Sequence, residues 1–150
     1  MSRGTVMRAD PITTSPRTLM PSALIEIRRP TTSEEDALLI DAVHISLVVA
    51  FRIPDGDRHI RLLSYPPHRM VRGQGPQLSD HYTRVTIDCF TGRSIDAKRR
   101  LLREIVNRLE QLGTAPSDVS ILVRESGLEN WGIRGGQAAC DVDLGFTVTV

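Results

Sequence analysis

The sequence predicts an α/β chain of the α+β kind, a four-stranded mixed sheet with two helices on one face, built from a strand–helix–strand unit that occurs twice. Three observations carry this. Apolar residues alternate in two short runs, Ala23-Ile25-Ile27 and Val85-Ile87-Cys89. Each run is followed by a helix-start signal and a stretch of helical periodicity. The second set repeats the first about 60 residues later, and both sets end in a turn and another strand. At 150 residues the chain is long enough for one core and too short for two ordinary domains.

The first strand is SALIEIR, with Leu24, Glu26 and Arg28 on the face opposite the apolar positions. Thr32-Ser33-Glu34-Glu35 then reads as a capping box, in which a hydroxyl and a carboxylate satisfy free backbone amides at a helix start. The helix is expected to run to about Phe51. Its apolar coverage, Leu39, Ile40, Val43, Leu47 and Val48 among others, is wide enough to be buried over much of its circumference. Pro54-Asp55-Gly56-Asp57 makes a turn, and a strand begins near His59 with Ile60 and Leu62 on one side.

In the second half, Thr91-Gly92-Arg93-Ser94 leads into a helix from about 95 to 112, with Ser94 as N-cap and Leu102, Ile105, Val106 and Leu109 along one face. Gly113 stops it. Pro116-Ser117-Asp118 precedes the strand Val119, Ile121, Val123, so the turn with proline and aspartate recurs. Two βαβ units joined in this way put both helices on one side of the sheet. The other side still carries Leu24, Leu63, Phe90 and Leu122, a pattern that implies burial against another subunit.

Composition narrows the function classes. Nineteen Lys and Arg stand against 18 acidic residues, so bulk charge does not point to nucleic acid or to a membrane surface. The basic run Lys98, Arg99, Arg100, Arg103 is interleaved with Asp96 and Glu104 and lacks stacking aromatics, which reads as a solvated helix face. Cys89 and Cys140 make neither a disulfide framework nor a zinc spacing, and no apolar run reaches the roughly 18 residues of a membrane span. A cytoplasmic location is expected. Residues 1–20, rich in Ser, Thr, Arg and Pro, read either as a disordered extension or as a segment absent from a protein whose genuine start is Met20. Residues 21–150 form the single domain.

Four residues bear on chemistry. Pro21 precedes a strand, where proline is tolerated simply as a chain breaker. As a first residue it would instead offer an amine whose reference pKa is about 2.5 units below that of lysine, held by a rigid ring. Asp57 could raise the pKa of such an amine or direct a water, but Asp118 occupies the matching turn, and a strand-entry Asx turn explains both. Arg93 stands just before a helix N-terminus, where the macrodipole disfavours a cation and backbone amides favour an anion. It reads as a carboxylate ligand, or as an exposed arginine paired with Asp96. Trp131, the only tryptophan, is either an apolar wall beside the amine or packing at a subunit contact. His44, within an apolar helical stretch, reads as a core or interface histidine, and Gly135-Gly136 as a turn.

Met20-Pro21 directly before a strand, the duplicated βαβ unit, Arg93 in FTGRSIDAKRRLL and the late Glu129-Asn130-Trp131-Gly132 together resemble the tautomerase superfamily. Asp57 in IPDGDRH, and Tyr65-Pro66-Pro67-His68 followed by a long connection, are similar to its malonate semialdehyde decarboxylase branch. The resemblance covers about residues 20–145. It implies a ring of subunits, here a homotrimer, with Pro21 as catalytic amine, Asp57 as its acidic partner and Arg93 as carboxylate ligand. It also implies decarboxylation, hydration or keto–enol tautomerisation of a small oxo-acid without metal or organic cofactor. The chain departs from the branch at Ile95, where a second arginine is expected, which argues against an identical substrate. If Pro21 is not the free N-terminus, the resemblance leaves a non-catalytic oligomeric scaffold.

Overall fold

Local signals place both long helices. The computed structural model describes residues 21–145. In it the Thr32 hydroxyl accepts the Glu35 N–H at 3.2 Å while the Glu35 carboxylate accepts the Thr32 N–H at 2.9 Å, which starts helix α1 (Ser33–Phe51). Ser94 Oγ accepts the Ala97 N–H at 3.0 Å and starts α2 (Ile95–Gln111). Gly113, at φ 96°, follows the last turn of α2 in the left-handed region that glycine adopts freely.

The strands are β1 (Ser22–Ile27), β2 (His59–Ser64), β3 (Thr83–Phe90) and β4 (Val119–Ser126), in the spatial order β2-β1-β3-β4. β1 and β2 are parallel, as are β3 and β4, and the two pairs join through antiparallel β1 and β3. The duplicated unit of the sequence is therefore a duplicated unit of the fold, related about an axis between β1 and β3.

The core lies between the sheet and the helices. Ala23 and Ile25 of β1, Val85, Ile87 and Cys89 of β3, Val43 of α1, and Leu101, Ile105 and Leu109 of α2 are all fully buried. Each large apolar side chain so buried contributes about 1.5–3 kcal/mol. α1 is less completely covered than its sequence suggests, since Leu38 and Ile45 are exposed. His44 is buried, and its Nε2 stands 2.8 Å from the Asp55 carbonyl oxygen, tying the helix to the turn before β2.

The opposite sheet face is open along its edge strands, where Leu63 of β2 is 47% and Leu122 of β4 43% exposed. Its Phe90 end is closed by the chain itself: Trp131 packs edge-to-face on Phe90, ring centres 5.7 Å apart. Beyond Trp131 a short hairpin forms, β5 (Gly132–Ile133) with β6 (Gln137–Ala138), turning at Arg134, Gly135 and Gly136, all at positive φ. The long connection between β2 and β3 is held by Arg28, whose Nε donates to the Met70 carbonyl at 2.8 Å and whose Nη1 donates to that of Leu78 at 2.7 Å. No helix among the described residues is long and apolar enough to cross a membrane.

Candidate active site

Strand direction gathers the candidate residues. β1 and β2 begin at the sheet end where β3 and β4 finish, because Ser22 pairs with both His59 and Asp88, and Phe90 with Ser126. Pro21 stands one residue before Ser22 at that end and is fully buried. Asp57 stands two residues before His59, and Arg93 three residues after Phe90. Trp131 is brought to the same end by its contact with Phe90. Pro21, Asp57, Arg93 and Trp131, read from four separate stretches of sequence, thus share one end of one sheet.

The turn from Pro54 to Asp57 closes through the Asp57 N–H to the Pro54 carbonyl at 3.0 Å, and the matching turn through the Asp118 N–H to Ala115 at 2.8 Å. The side chains then part company. Asp118 accepts the Ser79 hydroxyl at 2.7 Å, an ordinary structural use. Asp57 is only 6% exposed, and neither carboxylate oxygen has a hydrogen-bond partner among the described residues. His59 Nε2 comes to 3.4 Å from Oδ1, an ion-pair distance without hydrogen-bond alignment. Burial alone pushes the Asp57 carboxyl up to about 7, so the group can gain or lose a proton near neutrality.

Arg93 is buried rather than exposed, and Asp96 pairs with Arg99 at 3.1 Å instead of with it. Its position is explained from the other helix. Phe51, the last residue of α1, carries the guanidinium on its ring face, 4.9 Å from the centre. Arg93 Nε and Nη1 are buried without a hydrogen-bond partner among the described residues. Burial lowers the guanidinium from its ordinary pKa, opposed by the neighbouring Cys89 and Glu125. Arginine still keeps its charge. Cys89, at the end of β3 on the core side, is pushed up by burial to about 11 and is therefore a neutral thiol.

Trp131 adds a buried indole N–H without a partner among the described residues. A carboxylate with no donor, a guanidinium with free N–H groups and an indole N–H, all desolvated, are costly to leave unmatched. Together they suit a small ligand that is anionic at one end and polar at the other. No cluster of three or more His, Cys, Asp or Glu with metal-binding geometry occurs among the described residues. Phe51 is the site residue that sequence reading missed. It appears there as one more apolar position at a helix end, and only the packing of α1 against α2 brings it beneath Arg93.

Comparison with known proteins agrees with the fold. A family model described as tautomerase enzyme matches residues 57–134, just over half of the chain. The chain is 30% identical to FG41 malonate semialdehyde decarboxylase solved with 3-bromopropiolate as inhibitor, covering 79% of this chain and 92% of that one, with a TM-score of 0.69. It is 25% identical to another malonate semialdehyde decarboxylase, whose structures were described in terms of decarboxylase and hydratase activities, over 82% of this chain and all of that one, TM-score 0.71. A fused 4-OT solved as a symmetric trimer shares the fold at 19% identity, over 80% of this chain and 97% of that one, TM-score 0.71.

Proposed function

The chain belongs to the tautomerase superfamily, and from that premise we propose that it acts on a small oxo-acid through the nitrogen of Pro21. The observation that carries the reading is the pair Asp57 and Arg93, both buried and both without hydrogen-bond partners among the described residues, at the sheet end where Pro21 opens β1. Structural ion pairs do not leave their polar atoms unmatched, whereas binding sites do until a ligand arrives.

In this reading Arg93 holds the substrate carboxylate through its free N–H groups, a charge-assisted contact in a desolvated setting. The Pro21 nitrogen, freed by removal of residues 1–20 and protonated, donates to the substrate carbonyl and stabilises the oxyanion that develops there. In a decarboxylation the bond to the departing carboxylate breaks and carbon dioxide leaves. Its electron pair forms an enolate, which then takes a proton at carbon. Asp57 favours the cationic amine, and the cation in turn favours the ionised carboxylate. Asp57 can also direct a water, and a hydration or a keto–enol shift would use the same set of groups. Trp131 and Phe90 form an apolar wall that keeps water out. Residues of this chain alone perform each step, with no metal or organic cofactor.

The assembly we propose is a homotrimer that covers Leu63 and Leu122, as the trimeric fused 4-OT of the same fold suggests. The decisive test compares two forms verified by intact mass, one beginning at Pro21 and one retaining Met1. The short form should turn over oxo-acids, and the long form should be nearly inert with the same fold, because an acylated proline nitrogen has neither a basic lone pair nor an N–H. Equal turnover by the two forms would exclude the mechanism.

A further inference from the structure

Asp57 holds an ionisable group out of reach of water. Both carboxylate oxygens are buried without a hydrogen-bond partner among the described residues, so solvent has no direct access to a proton held there. His59 spans the gap. Its Nε2 stands 3.4 Å from Asp57 Oδ1, and its side chain is 34% exposed against 3% for that of Asp57. The imidazole therefore meets the buried carboxyl on one side and water on another. Strand register sets His59 beside Ser22, the residue after Pro21, which places the imidazole at the sheet end where the candidate residues gather.

Other charged groups around the entry to β2 are engaged elsewhere. Arg58, between the two residues, pairs with Asp41 of α1. His44 of α1 is turned to Asp55, with Nε2 at 2.8 Å from the carbonyl oxygen and 3.7 Å from Oδ1. The one acid of β1, Glu26, accepts the Tyr65 hydroxyl at 3.0 Å. Arg61, further along β2, is exposed. His59 is thus the one basic side chain at ion-pair distance from Asp57 among the described residues. Its residue type suits proton traffic, since imidazole takes up and releases protons near neutrality, and so does the Asp57 carboxyl.

We propose that His59 is the proton-exchange residue of the site and carries protons between solvent and the buried carboxyl of Asp57. Its place in the reaction rests on the reading of Asp57 given above. In the exchange a protonated imidazole gives its Nε2 proton to Asp57 Oδ1: the N–H bond breaks, an O–H bond forms, and the electron pair of the broken bond stays on nitrogen. The neutral imidazole then takes a proton from a buffer acid, which leaves as its conjugate base. Decarboxylation of an oxo-acid consumes one proton at carbon for each carbon dioxide released, so the site must be reprotonated from solvent at every turnover.

The test compares wild type with two variants whose fold circular dichroism will verify. His59→Gln keeps a polar side chain beside Asp57 that does not titrate. His59→Ala leaves room for free imidazole. The first readout needs no substrate and applies to the full chain and to the form beginning at Pro21 alike. With carbon-13 in the aspartate carboxyl groups and the Asp57 signal assigned by Asp57→Asn, the line shape at the midpoint of its titration gives the rate at which the proton comes and goes. Both variants should slow that rate roughly tenfold, and free imidazole should restore it in His59→Ala in proportion to its concentration. A second readout is decarboxylation of acetoacetate by the form beginning at Pro21. There kcat should fall by a similar factor with KM little changed, and imidazole should again restore it in His59→Ala. Slowed and rescued exchange in a protein that turns over no acetoacetate upholds the proton path and removes the decarboxylation reading. Exchange at the wild-type rate in His59→Gln, or slow exchange in His59→Ala that imidazole leaves unchanged, overturns the proposal.

Discussion

The guanidinium of Arg93 lies over the ring of Phe51, 4.9 Å from its centre, although the two residues come from opposite halves of the duplicated chain. The contact joins the last residue of α1 to the loop before α2, and it supports a charge that the surrounding protein otherwise desolvates. An arginine kept buried with free N–H groups opposes folding, and its retention makes sense where a ligand anion completes it.

Arg93→Met should therefore separate stability from function. Methionine keeps most of the apolar stem and can pack on Phe51, while the desolvated charge disappears. We expect unfolding free energy by urea titration to rise by about 1–3 kcal/mol, and kcat/KM on oxo-acids to fall roughly 10²-fold. A variant that loses stability and keeps its kinetics would show that Arg93 is a structural residue.

Asp57 gives a pH dependence with a definite sign. Its folded-state carboxyl titrates at about 7 rather than at the ordinary 3.8. Between about pH 4 and 7 the unfolded chain has released this proton and the folded chain still holds it. Stability from this group is thus full at acid pH, declines as pH rises through the window and levels off above it. One pKa unit corresponds to about 1.4 kcal/mol, so the decline is on the order of 4 kcal/mol. Asp57→Asn should remove it. Chemical denaturation of both proteins at pH 4.5, 6 and 7.5 measures the difference, and parallel profiles would mean that Asp57 titrates as an ordinary exposed acid.

Pro21→Ala in a chain beginning at residue 21 retains an amine and an open site but loses the ring that fixes the nitrogen. Partial activity is expected, with kcat reduced more than KM is raised, since positioning matters most in the transition state. Wild-type kcat in this variant would remove the rigid ring from the mechanism.

The open sheet face makes the assembly testable. Leu122→Asp places a charge on β4 where Leu122 is now 43% exposed. A free monomer would tolerate it within about 0.5 kcal/mol. In a trimer that buries this face it should lower the mass found by light scattering from three chains toward one. A wild-type mass of one chain at micromolar concentration would already exclude the ring.

Residues that act through near neighbours were legible in the sequence. Thr32 with Glu35, and Ser94 with Ala97, announce helix starts because the hydrogen bonds span three residues. Alternation in β1 and β3 identified the core face, since period two leaves no freedom once one side is buried. Pro21, Arg93 and Trp131 stand out by type and context and Asp57 by the family resemblance alone, and the strand order brings them to one end. What escaped depends on distant partners. Arg93 read as exposed because a loop before a helix usually is, and nothing local reveals that Phe51 will lie under it. Phe90 read as part of the uncovered face because Trp131, which covers it, lies more than forty residues later. The hairpin of β5 and β6, two residues a side, is too short to show periodicity.

The difference between Asp57 and Asp118 shows what internal duplication allows. The two occupy matching turns at opposite ends of the sheet, yet one is tied to Ser79 and the other has no hydrogen-bond donor among the described residues. A fold with two copies of a turn can keep one as scaffold and release the other from structural duty. Polarity then enters a shape that is otherwise nearly symmetric. On the proposed reading the molecule has a working end and a holding end, and substitutions around Asp118, Ser79 and Arg28 should register in folding alone, while those around Asp57, Arg93 and Phe51 should register in what the protein binds as well.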